Sequence, residues 1–137
     1  MNGFEVLHAQ HREVEALFGQ YAANPDDVTA RQVREKLTRH TELEERALYP
    51  ELRRLVDNGD DFADEAEAEH ALAQTIIARM YDSPPEDMRP LMQELERIVA
   101  AHVRTEEEQL FPVMIESGVD AEKLASKLDA EAGVARE

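Results

Sequence analysis

Two stretches decide the reading of this chain: HTELEERALYP, from His40 to Pro50, and HVRTEEEQLFP, from His102 to Pro112. Each begins with His, carries Glu at the fourth and fifth following positions, and closes on Leu-aromatic-Pro. A spacing of four puts His40 and Glu44 one turn apart on one face of a helix, and likewise His102 and Glu106. Each face runs on into an apolar position, Leu48 or Leu110, so both His–Glu pairs are aimed at a core. An unpaired carboxylate in a core is costly, and a metal ion removes that cost.

Working outward, helical periodicity dominates the chain. A first helix is expected from about Phe4 to Ala23, with Leu7, Val14, Leu17, Phe18 and Tyr21 on one stripe. Asn24-Pro25-Asp26-Asp27 ends it, and Asp26 or Asp27 can cap the next. The second helix spans about Val28 to Val56 and stops at Asn58-Gly59. The third spans about Asp61 to Tyr81, before the break at Asp82-Ser83-Pro84-Pro85. The fourth spans about Glu86 to Glu116 and ends at Gly118. A short fifth helix, about Asp120 to Ala132, carries Leu124 and Leu128 one turn apart. Pro50, Pro90 and Pro112 predict kinks, or a ragged start at Pro90. No run alternates with period two, so no sheet is expected. Long helices joined by short turns give an all-α, up-down-up-down four-helix bundle with a short C-terminal helix, one domain over 1–137.

The composition narrows the function. The formal net charge is -16, which repels phosphate backbones and anionic lipids and argues against nucleic-acid or membrane partners. Cys is absent; thiol catalysis, iron–sulfur clusters and Cys-based zinc sites are excluded. The N-terminal MNGFEVLHAQHREVE has no basic start followed by an apolar run, and no stretch reaches membrane-spanning length. A cytoplasmic location is the expectation.

The repeat extends to whole hairpins. His11 precedes His40 by 29 residues and His70 precedes His102 by 32, so each hairpin brings one lone His and one H-x-x-x-E pair. Four imidazoles and two carboxylates without a thiolate suit iron or manganese, and also zinc. Two metals bridged by Glu44 and Glu106 use all six residues. These residues resemble the hemerythrin-like, or HHE cation-binding, domain, over about Leu7 to Pro112. The resemblance implies a centre of two iron ions, oxo- or hydroxo-bridged, with an open position for O2, hydrogen peroxide or nitric oxide. The oxygen carriers of that family have a further His at the position of Ala66 and a bridging Asp at the position of Glu107. This chain is therefore more similar to the bacterial branch, and the resemblance implies a catalase- or peroxidase-like activity, a sensor of O2, NO or redox state, or an iron-binding module without turnover.

Ligand counting leaves one metal short of a donor. Glu67, three residues before His70 on the same face, is the candidate, and His8 holds the matching place before His11. Tyr49 is the catalytic candidate. On a regular helix it lies about 140° from Glu44. Pro50 disfavours a regular helix there, and a one-residue π-bulge would bring Tyr49 beside Glu44 with its hydroxyl at the metal bridge. The alternative is a core aromatic with its hydroxyl at the bundle edge.

Overall fold

The computed structural model describes residues 1–136. The chain is all helical among them: α1 (Gly3–Ala23), α2 (Asp27–Leu43), α3 (Tyr49–Leu55), α4 (Gly59–Tyr81), α5 (Pro85–Thr105), α6 (Phe111–Glu116) and α7 (Ala121–Arg136). A five-residue π turn, Glu44–Leu48, joins α2 to α3 in one continuous rod, and Glu106–Leu110 joins α5 to α6 in the same way. The result is a four-rod bundle with a fifth helix laid against it.

Local chemistry places the helix starts. Asn2 and Glu5 form a reciprocal capping box at α1, each side chain accepting from the other's backbone N–H at 3.0 and 2.9 Å. Asp26 caps α2 by accepting from the Thr29 N–H at 2.7 Å. The third rod begins at Gly59, two residues before the expected Asp61. Asn58 takes the left-handed conformation (φ 61) that turns the chain, and Gly59 enters against α3. A Cβ on Gly59 would stand 2.0 Å from the Leu52 carbonyl oxygen, so only glycine fits. Pro90 lies inside α5, near its start, and the helix continues through it.

The fifth helix sits over the α1–α2 side of the bundle. Gly3 lets it approach, since a Cβ there would meet Leu124 at 2.4 Å. Leu124 and Leu128 are buried with Phe4, Leu7, Leu43 and Ala47. Arg39 donates to the Ala132 carbonyl at 2.9 Å.

The core is divided. One apolar cluster gathers Leu7, Leu48, Leu52, Leu110 and Met114 at one end, and a second gathers Val14, Val33, Leu37, Ile76, Leu95 and Val99 at the other. Between them lies a buried ionisable layer of His11, His40, Glu44, His70, His102 and Glu106. Apolar burial on both sides supplies the stability that lets the bundle hold this layer.

Candidate metal centre

Each rod contributes to the layer from a fixed register. His11 comes from the middle of α1 and His70 from the middle of α4, while His40 and His102 stand in the last turns of α2 and α5. Glu44 and Glu106 open the two π turns, and both are fully buried, at 0% exposure.

The ligand atoms form two groups that share both carboxylates. His11, His40, Glu44 and Glu106 bring donor atoms within 4.8 Å of one another, and so do His70, His102, Glu44 and Glu106. The carboxylates face both ways. Glu106 Oε1 lies 3.0 Å from His11 Nε2 while its Oε2 lies 3.0 Å from His102 Nε2. Glu44 Oε2 lies 3.3 Å from His40 Nε2 while its Oε1 lies 3.1 Å from His70 Nε2. Each acid thus turns one oxygen to each half of the layer.

The outer nitrogen of every histidine is occupied. Nδ1–H of His11 donates to Glu107 at 2.7 Å, of His70 to Glu45 at 3.1 Å, and of His102 to Glu69 at 2.8 Å. Nδ1–H of His40 donates instead to the amide oxygen of Gln10 at 2.6 Å. These bonds fix the rings and turn all four Nε2 atoms inward.

Without a metal, protons hold the layer together. Burial pulls His11 down, but the Glu106 and Glu44 carboxylates facing its Nε2 outweigh it and lift the ring to about 10. His102 is lifted to about 12 against the same burial cost, by Glu106, Glu44 and Glu69. Burial pushes Glu44 up, yet His40 and its hydrogen bonds keep it well below the usual carboxylate range. Even so, five buried side-chain atoms among the described residues lack a hydrogen-bond partner, and four belong to one half-site: His11 Nε2, His40 Nε2, Glu44 Oε2 and Glu106 Oε1. Orphaned donor atoms of this kind are what a cation satisfies. The residues present fit a metal.

The sequence profile of the Hemerythrin HHE cation binding domain matches residues 2–114. The chain belongs to that family. Among curated proteins, this HHE domain is 32% identical over 118 residues to a protein named DNA nickase from Nostoc sp. (strain PCC 7120 / SAG 25.82 / UTEX 2576). The match takes in 81% of this chain and 33% of that protein, so the chain spans about a third of the relative's length. No solved structure matches it at a significant level.

The structure also places the other sequence candidates. The π turn ahead of Pro50 brings Tyr49 under the centre. Its hydroxyl donates to Glu106 Oε2 at 2.8 Å and lies 3.3 Å from Glu44, 3.1 Å from His70 Nε2 and 3.4 Å from His102 Nε2. Burial and the two carboxylates push its ionisation far above the phenol range, so it keeps its proton in the metal-free chain. Glu67 stands apart from the cluster. Its carboxylate accepts from Arg53 at 2.6 Å, beside Asp60 and Asp64, where it ties α3 to α4. The Tyr49 hydroxyl, not the Glu67 carboxylate, stands beside the Nε2 atoms of His70 and His102. His8 is exposed and rests on Glu107 at 2.9 Å.

Sequence reasoning did not single out Gln10, Glu45, Glu69 and Glu107 as the histidines' partners. The repeat carried the signal. Gln10 and Glu69 each immediately precede the lone His of their hairpin, and Glu45 and Glu107 each stand five after the paired His.

Proposed function

We propose that the HHE domain holds two iron ions bridged by Glu44 and Glu106 and reacts there with O2 or hydrogen peroxide. His11 and His40 hold one ion; His70 and His102 hold the other. The observation that carries this reading is the pair of donor groups sharing both fully buried carboxylates. Iron in such a site supplies electrons in pairs by cycling between its ferrous and ferric states.

The protein's own contributions follow from its side chains. A cavity of about 20 Å³, lined by Val14, Leu37, Ala73, Ile98, Val99 and Val103 among others, touches all four histidines. It has room for about one small molecule, and its apolar walls favour O2, peroxide or nitric oxide over larger substrates. Tyr49 Oη holds a proton at the edge of the centre, where it is available to a reduced oxygen species. Burial of the layer restricts access to it.

The nicking activity in the relative's name is not part of this reading, since a net charge of -16 opposes a polyanion. A second reading, an iron-binding or sensing module without turnover, uses the same ligands. Adding hydrogen peroxide to the iron-loaded protein separates the two. Sustained oxygen evolution, abolished in His102→Ala, supports turnover; stoichiometric oxidation that stops after one equivalent supports the module.

A further inference from the structure

The two hairpins repeat each other, so their outer seams can be compared position by position. Taking His11 with His70 and His40 with His102, the positions of Glu65, Thr105 and Gln109 in the second hairpin correspond to Val6, Leu43 and Ala47 in the first. In the first hairpin, Leu43 and Ala47 are buried with Leu124 and Leu128 of α7, and Val6 packs against them. That seam is apolar and covered. In the second hairpin, the equivalent place is a polar cleft of about 140 Å³ between α4 and α5. Glu65 and Glu69 line it, with Thr105 and Gln109, and it reaches His102 and Glu106. Ala66 keeps it open, with a methyl where a larger side chain would fill it.

A different cleft, of about 210 Å³, reaches His40 between α1 and α2. Lys36, Arg39 and Glu13 flank it, with Lys36 paired to Glu13, and Gln10 lies between it and the ring as the partner of Nδ1. The charged side chains of the α4–α5 approach are therefore all carboxylates, whereas the α1–α2 approach sets Arg39 beside a neutralised Lys36–Glu13 pair. A cleft lined by one sign of charge concentrates the opposite ion and raises its rate of entry.

We propose that the α4–α5 cleft is the route by which divalent cations reach the buried centre, with Glu65 at its mouth and Glu69 beside His102. This rests on the metal reading above. The carboxylate and amide oxygens along the wall replace the ion's hydration in steps, and His102 and Glu106 receive it. The α1–α2 approach meets an incoming ion with Arg39 and the Lys36–Glu13 pair, and offers it no carboxylate free of a cation.

The test transplants the sealed seam onto the open one: Glu65→Val, Thr105→Leu and Gln109→Ala together, with no ligand changed. Cobalt(II) chloride is added in a stopped flow to the full-length chain, stripped by chelator and checked for helicity, and bound metal is followed by its visible absorption. The parent and the triple variant both end at two ions per chain, but the variant fills about tenfold more slowly or worse. Release from the loaded chain to excess chelator slows with it, a readout that does not need the stripped form. Should the triple variant fail to fold, Glu65→Gln alone is expected to slow filling several-fold and to flatten its dependence on salt. Filling at the parental rate in these variants, or acceleration in Lys36→Ala, overturns the route. A parent that binds fewer than two ions overturns the two-metal reading instead.

Discussion

The two halves of the centre come from one repeated motif, yet they are not equivalent. The His11–His40 half has the ring of Phe111 stacked on His11, with centroids 6.1 Å apart. The His70–His102 half has the Tyr49 hydroxyl at the corresponding place. His40 leans on a neutral amide from Gln10, whereas His102 leans on the Glu69 carboxylate. The repeated residues supply the buried His/Glu layer, and the residues that break the repeat set its two halves apart. A carboxylate on the outer nitrogen makes an imidazole a stronger donor than an amide does, so on the proposed reading the second half is expected to bind its metal more tightly.

The harshest way to break the comparison is to remove a ligand. His40→Ala and His102→Ala each lose metal. At a metal concentration of 100 times Kd the ion contributes about 2.7 kcal/mol, so Tm falls by roughly 10 °C. Metal analysis and thermal unfolding check this, and a variant that keeps two ions would remove that histidine from the site. The next way exchanges the outer partners. Glu69→Gln is expected to weaken metal binding in the second half by about 10–100-fold, and Gln10→Glu to strengthen the first. Competition with a chromophoric chelator reads both; equal affinities in all three proteins would mean the asymmetry has no energetic content.

How much of this was legible beforehand depends on what each residue does. His40, Glu44, His102 and Glu106 announce themselves because a spacing of four is a helical turn and the pattern occurs twice. The bundle follows from the same periodicity and from turn residues such as Asp26 and Asn58-Gly59. The π turn at Glu44–Leu48 was readable because Pro50 cannot donate a backbone hydrogen bond and crowds the preceding turn. Glu67 was the harder case. Its spacing from His70 is right for a shared face, but nothing in the sequence shows that Arg53, fourteen positions earlier, claims its carboxylate. Glu45 and Glu107 are similar: one position beyond Glu44 and Glu106 they look solvated; the repeat marks them as a pair, and the packed neighbouring rod shows which histidine each one meets.

A different effect separates the aromatic partners. Tyr49→Phe deletes a buried hydroxyl that donates to Glu106, at a cost of about 1.5–3 kcal/mol to the metal-free chain. In the loaded chain the account expects a shifted absorption spectrum and reduction potential with metal content intact. Phe111→Tyr offers the mirror change in the other half. If Tyr49→Phe leaves spectrum, potential and peroxide turnover as they were, Tyr49 has no place in the chemistry.

The smallest effect is a difference of sign with pH. In the metal-free chain His11 and His102 titrate at about 10 and about 12, above the roughly 6.5 of the unfolded state. The stability they contribute is complete below about 6.5 and is lost as pH rises through the folded values. The loaded chain behaves oppositely, since protons compete with the metal for Nε2 and stability falls as pH drops below about 6.5. Tm measured against pH should therefore fall toward alkaline pH with chelator present and toward acid pH with metal bound; the same profile in both would contradict the ligand assignment.

The central claim is that this HHE domain holds a pair of iron ions. Elemental analysis of the fully loaded protein, taken with its near-ultraviolet spectrum, tests it most directly. Two irons per chain with the absorption of a bridged ferric pair is the expected result. One metal or fewer per chain after full loading would contradict it.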